Sequence, residues 1–102
     1  MLTNSLYVKE SAKLVILLTA AGIPHEVRTL YDGVQVLYPN LSRSVGDVVC
    51  HSWSYGREKG LLEVMGVGCE DEDDNVEGWL TAETIFNRWQ KHWSLYKNFL
   101  PH

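Results

Sequence analysis

Cysteine is scarce. Cys50 and Cys69 are the only two in 102 residues, too few for a disulfide framework and without the Cys-x-x-Cys spacing of structural zinc or redox sites. A reducing, cytoplasmic setting is therefore expected. Long apolar runs are missing too. The stretch "LVILLTAAG", Leu14 to Gly22, falls far short of the ~20 residues that cross a bilayer, and "MLTNSLYVKESAK" lacks the basic start of a secretory signal. A soluble molecule without a membrane role is the expectation. Concentrated positive charge is also absent. Nine Lys and Arg stand against thirteen Asp and Glu, for a net charge of -4. Six of the acids crowd into Glu70, Asp71, Glu72, Asp73, Asp74 and Glu77. The remainder is close to neutral and shows no basic stripe, so nucleic acid is not an expected partner.

What is present fits one core. A composition of 45% apolar and 11% aromatic residues suffices for a single α+β domain over residues 1–102. Leu14, Leu17, Leu18 and Ala21 recur at helical spacing, which predicts a helix from Glu10 to Ala21, stopped by Gly22 and Pro24. In "HEVRTLYDGVQVLYPN", Asp32-Gly33 between β-formers predicts a type I′ hairpin turn that pairs Tyr31 with Val34, Thr29 with Val36 and Val27 with Tyr38. Two further strands are expected in "DVVCHSW" from Asp47 and "LLEVMGV" from Leu61, separated by the loop "SYGREKG". A second helix is expected in "GWLTAETIFNRWQKHWSLYKNFL", where Phe86, Trp89, Trp93, Tyr96 and Leu100 share a stripe. Thr81 serves as its N-cap, and Leu80 staples against Ile85. The predicted order is αββββα: a four-stranded antiparallel meander with the N- and C-terminal helices packed on one face.

Three regions invite a functional reading. In "GCEDEDDNVEGW", Asp71, Asp73 and Asn75 match the first alternating ligands of a calcium loop, but Val76 replaces the turn glycine and Ala82 the final glutamate. The same acids, Asp71, Asp73 and Asp74 among them, could mimic a phosphate backbone toward a basic cleft. The bland alternative is a mobile solvated connector, whose deletion from Asp71 to Asp74 would leave the melting transition nearly unchanged.

The second region, "CHSWSYGREKG", gathers a thiol, an imidazole, aromatics and cations. Strand alternation sends Cys50 and His51 to opposite faces, so a Cys-His enzyme would need His25 or His92 brought in by the fold. Trp53 and Tyr55 could instead stack bases while Arg57 and Lys59 meet phosphates, the pattern of single-strand binders, or offer the same groups to a protein partner; the bland alternative is a loop folded back on its own aromatics. Third, Trp89, Trp93, Tyr96 and Phe99 make the last helix aromatic enough to leave a patch for a protein partner or a second copy of the chain.

The pieces "HSWSYGREKGLLEVMGV" and "VEGWLTAETIFNRW", with an acidic spacer between, resemble a pattern in small prophage and mobile-element proteins of low-GC Gram-positive bacteria. The resemblance spans roughly residues 50 to 93. Its most specific parts are Ser54-Tyr55-Gly56, Gly60-Leu61-Leu62-Glu63 and Gly78-Trp79-Leu80-Thr81-Ala82-Glu83. It implies an accessory protein of a mobile element and carries no catalytic residues. Two classes of function follow: a non-catalytic protein-interaction module needing no cofactor or metal, and a small enzyme or nucleic-acid-processing accessory built around His51 and Glu63.

Overall fold

Every second side chain of a strand points to the same side of its sheet, and in this chain the even-numbered positions carry the apolar ones. Val34, Val36, Tyr38, Val48, Cys50, Leu62, Val64 and Leu80 all belong to one buried cluster. A computed structural model describes residues 4–99. Its elements are α1 (Ser5–Ala20), β1 (Glu26–Leu30), β2 (Gly33–Tyr38), β3 (Gly46–Cys50), β4 (Leu62–Gly66), β5 (Val76–Leu80) and α2 (Ala82–Tyr96), with short 3-10 turns at Arg57–Lys59 and Lys97–Phe99. The strands form one antiparallel sheet in the order β1-β2-β3-β4-β5. Leu14 and Leu18 of α1 and Ile85 and Trp89 of α2 join the strand cluster, so both helices lie on one face. Among the described residues no helix is long and apolar enough to cross a membrane.

The expected α+β meander is what forms, with five strands instead of four. The extra one, β5, comes from "VEGWL", where a glycine and a glutamate hide the alternation. Its register explains the disguise. Val64 pairs with Glu77 and Leu62 with Leu80, so Gly78 and Trp79 together oppose Glu63 in a β-bulge. Trp79 takes a left-handed backbone (φ 64°), uncommon for a bulky residue. The extra residue flips the parity of the strand, and Leu80 returns to the core.

Three other boundaries differ from expectation. Strand β3 stops at Cys50 instead of running on through Trp53, because the Ser54 hydroxyl bonds both the His51 N–H and the His51 carbonyl and turns the chain there. Helix α1 begins at Ser5, five residues before Glu10, because Asn4 caps it by accepting the Leu6 N–H at 2.9 Å. Glu10 and Ser11 interrupt the apolar stripe there, yet both are buried. The hairpin turn is Tyr31-Asp32, with Leu30 opposite Gly33, not Asp32-Gly33. Thr29 therefore pairs with Val34 and Val27 with Val36, a shift that keeps each residue on its predicted face. Gly33 is needed inside the strand: a Cβ there would collide with the Cys50 carbonyl oxygen. The turn instead places Tyr31 in the left-handed region (φ 56°).

One buried carboxylate joins the two helices. Glu10 accepts the Ala82 N–H, at the start of α2, at 2.9 Å and pairs with Lys13 at 3.2 Å. The first N–H groups of a helix have no partner within it, and a negative charge suits that end. Burial pushes the Glu10 carboxyl upward, but the Ala82 N–H and the Lys13 ammonium outweigh it and hold the group below its ordinary value. Thr81 caps the same helix by accepting the Thr84 N–H at 3.3 Å, as its sequence predicts.

Among the described residues no helix covers the opposite face of the sheet. Across its β1–β3 part, Arg28 donates to Gln35 and Gln35 donates to Asp47, a polar ladder over which Gln35, Leu37 and Val49 stay buried. We expect Glu10→Ala to lower unfolding free energy by about 1–3 kcal/mol, the usual cost of stranding a buried donor. Urea denaturation of the two proteins measures it.

Candidate functional site

After Cys50 the chain must turn back to reach β4, and polar side chains hold that turn shut. The Ser54 hydroxyl accepts the His51 N–H and donates to the His51 carbonyl, both at 3.0 Å. His51 Nδ1 accepts the Trp53 N–H at 3.0 Å, and the Glu63 carboxylate accepts the Tyr55 N–H at 2.6 Å. Asp32, from the β1–β2 turn, accepts the Ser52 N–H at 3.0 Å. That bond is the main reason its carboxyl sits below the ordinary value.

Two glycines let the loop lie against β5. A Cβ on Gly56, whose φ is +98°, would come within 2.9 Å of the Trp79 nitrogen, and one on Gly78 would collide with the Tyr55 side chain. With its backbone donors bound inward, the loop turns its rings outward. Trp53 is 75% exposed, Tyr55 62% and neighbouring Trp79 54%, far more than aromatic side chains usually show.

The Trp53 and Tyr55 rings border a hollow of about 450 Å³ on the helix-free face, which Glu63, Met65, Asp74 and Val76 also line. Residues from two separate predicted regions, the "SYGREKG" loop and the acid run, thus meet in one concavity. Glu63 and Asp74 form no ion pair with any cation among the described residues. Aromatic faces and unpaired carboxylates together suit a cationic group. Arg57 and Lys59, expected to act beside these rings, sit in the 3-10 turn: Arg57 donates to the Ser54 carbonyl and pairs with Glu58, and Lys59 is exposed. Neither lines the hollow.

The acid run is the β4–β5 hairpin loop, and its residues divide by task. Arg88 of α2 reaches the base of the loop, pairing with Glu77 at 2.9 Å and Glu70 at 3.0 Å and donating to the Gly68 carbonyl at 2.8 Å. Trp89 adds an indole bond to the Val67 carbonyl at 2.8 Å. The Asp71 carboxylate accepts the N–H groups of Asp73 and Asp74 and so shapes the tip. A freely solvated connector is thus corrected to a hairpin anchored at its base, in which Glu72 and Asp73 are exposed and Asp74, also exposed, borders the hollow. The twelve-residue calcium window, 71–82, runs through the whole of β5 and into α2, so its later positions cannot wrap an ion.

The reactive-looking residues do not converge. Cys50 faces the core, and burial pushes its thiol up to about 11. His51, just past the end of β3, packs against the Tyr31 ring, with centroids 5.0 Å apart. His25 bonds to the Ile23 carbonyl, one residue before β1. Cys50 pairs with Val34, which pairs with Thr29, so His25 lies four residues farther along, ~13 Å by strand rise. His92 shares a 2.6 Å hydrogen bond with the Tyr38 hydroxyl, at the far end of β2. Burial and then the nearby Tyr96 push Tyr38 up to about 12. Among the described residues no group of three or more His, Cys, Asp and Glu could hold a metal ion.

The aromatic helix divides as well. Trp89 is fully buried and stacks on Tyr38 at 5.1 Å, so it has no surface for a partner. Trp93 packs partly against the core, and Tyr96 leans on His92 and Trp93. Leu95 and Phe99 stand exposed at 69% and 83%. Leu100, predicted to continue the stripe, lies outside the described residues. Glu63, Met65 and Val76 join the rings at the hollow without a local motif for partner binding; the strand alternation of "LLEVMGV" puts Glu63 and Met65 on one face, whereas Val76 is brought there only by β5. Comparison with protein-family models, curated proteins and solved structures finds no match for the chain.

Two predictions concern the acid hairpin. Deleting Asp71 to Asp74 removes the turn-shaping carboxylate, so the expected unchanged melting transition gives way to a lower one. Exchanging Glu72→Gln with Asp73→Asn leaves stability within about 0.5 kcal/mol. Glu77 is held below its ordinary carboxyl value of 4.5 first by Arg88 and then by the Glu70 N–H. Its contribution is present above that value and is lost as pH falls through the folded pKa. Wild type should therefore be more stable than Glu77→Gln at neutral pH, and the two should converge in acid. Thermal melts from neutral to acidic pH test both.

Proposed function

We propose that the chain is a non-catalytic accessory protein that binds a protein partner through the hollow on its helix-free face, receiving a Lys or Arg side chain of that partner. The carrying observation is the meeting of exposed Trp53 and Tyr55 with the unpaired carboxylates of Glu63 and Asp74 around one concavity. A cation over an aromatic face gains about 0.5–1 kcal/mol where exposed and more where desolvated, and the carboxylates add attraction that weakens with salt. The exposed tip acids, Glu72 and Asp73, extend the negative field and favour approach of a basic segment.

The competing enzymatic reading around His51 and Glu63 has less support. Both side chains spend an acceptor on a loop N–H, which is a positioning task, and the Cys50 thiol is buried and protonated at neutral pH. The mimic of a nucleic-acid backbone is weakened by Arg88, which neutralises part of the acid run. The resemblance to mobile-element proteins adds a setting, an accessory acting on a host or element protein in a bacterial cytoplasm. It rests on the "SYG" and "GW" blocks, which here are the glycine-mediated contact that shapes the hollow's rim.

The test is capture from a bacterial lysate with mass spectrometry, followed by titration of the identified partner. Trp53→Ala and Tyr55→Ala should each weaken binding about fivefold, equivalent to roughly 1 kcal/mol. Glu63→Gln should also reduce the salt dependence. Full affinity in the Trp53→Ala, Tyr55→Ala double variant, with its fold intact by circular dichroism, refutes the assignment.

A further inference from the structure

The sheet has two edges, and among the described residues only one is guarded. At β5 the bulge, the left-handed Trp79 and the adjoining acid hairpin break the flat row of backbone groups, as edge strands commonly require. At β1 the register runs without interruption from Glu26 to Leu30, and Glu26 to Thr29 are all exposed. Leu30 opposes Gly33 across a two-residue turn, which is the hydrogen-bonded pair of such a hairpin. By alternation Arg28 and Glu26 direct their backbone groups to β2, and Val27 and Thr29 direct theirs away from the sheet. No turn, loop or side chain among the described residues bonds to the backbone of Val27 or Thr29.

Beside this edge, on the helix face, lies an apolar groove of about 320 Å³ between α1 and β1, lined by Val8, Ala12, Val15, Ile16, Val27 and Val34. Ile16 is 68% exposed and Val27 50%. Neither the edge nor the groove belongs to the hollow, which is at the opposite side of the sheet.

We propose that the occupant of this edge is a second copy of the chain, its β1 pairing antiparallel with β1 about a two-fold axis through Val27. Three features favour self-pairing in that register. Val27 meets its own equivalent on the groove side, so that the Val27 and Ile16 side chains of both copies share one apolar trough between the two α1 helices. Thr29 meets His25, and these outward-directed positions exchange backbone hydrogen bonds. Pro24, which has no N–H to give, falls at an inward-directed position and costs the pairing nothing. On the other face Glu26 meets Arg28 of the second copy, twice by symmetry, and opposite charges directly across strands attract whereas like charges repel. A register centred on Arg28 would instead set the two arginines against each other. In the single chain Glu26 accepts the Leu41 N–H and Arg28 donates to Gln35, so both ends are already held on the correct face.

Light scattering coupled to size exclusion tests this, over protein concentrations from micromolar to millimolar. Wild type should approach twice the mass of 11.6 kDa as concentration rises. Glu26→Lys alone and Arg28→Glu alone should each weaken dimerisation at least tenfold, whereas an equal mixture of the two variants should recover a dimer, because each supplies the charge the other lacks. Circular dichroism confirms that each variant is folded. Hydrogen exchange gives an independent reading: the Val27 and Thr29 amides should slow as concentration rises. A chain that stays monomeric at millimolar concentration with those amides exchanging freely overturns the proposal. So does a dimer indifferent to both charge reversals and abolished by Leu95→Glu with Phe99→Glu.

Discussion

Two helices cover one face of a five-stranded sheet, and the other face has to manage without them. Burial of Leu14, Leu18, Ile85 and Trp89 drives that coverage, and Glu10 fixes how the helices meet, since its buried carboxylate ties α1 to the first N–H of α2. The helices then close over Val36, Val48 and Val64, and the alternation of each strand sends its remaining side chains the other way. Part of that second face is settled by the ladder from Arg28 through Gln35 to Asp47. Its β4–β5 end is settled by no such ladder, and there the chain presents indole, phenol and carboxylate.

Most of the chemically suggestive residues are consumed in building that surface. His51, Ser54 and Glu63 serve as acceptors for the loop's own N–H groups. Hydrogen bonds thus hold the turn, and Trp53 and Tyr55 can face water. Cys50 contributes bulk to the core. Arg88 and Trp89, consecutive on α2, fasten the root of the acid hairpin from the helix side, which sets where Asp74 stands relative to the rings. A strained residue, Trp79, occupies the bulge next to the hollow, in keeping with the tendency of such backbone to gather at functional surfaces.

Periodicity made much of this legible. The helical spacing of Phe86, Trp89 and Trp93, the Thr81 cap and the alternation of "DVVC" all report local geometry, and each formed as read. Where tertiary contact overrode local preference, the reading slipped. Asp32-Gly33 looks like a turn by residue type, but the Cys50 carbonyl needs the space at Gly33, and the turn moved back by one. The start of α1 was hidden because Glu10 and Ser11 are polar where the stripe demands burial, and their partners are Ala82 and the Val8 carbonyl. Strand β5 was hidden because a bulge doubles one position and erases the period of two.

The order of residues alone determined the class of fold, the separation of Cys50 from His51 and the single apolar face of each strand, because these depend on neighbours a few positions apart. Only the tertiary structure decided that Trp53 and Tyr55 share a hollow with Glu63 and Asp74, that Trp89 is core and Leu95 surface, and that one sheet edge is blunted by a bulge while the other runs regular. Those outcomes depend on contacts between residues distant along the chain, such as Gly56 with Trp79 and Gly68 with Arg88. Such contacts close long loops of chain, whose ends only the packed core holds together, and no local pattern records which side chains it brings together.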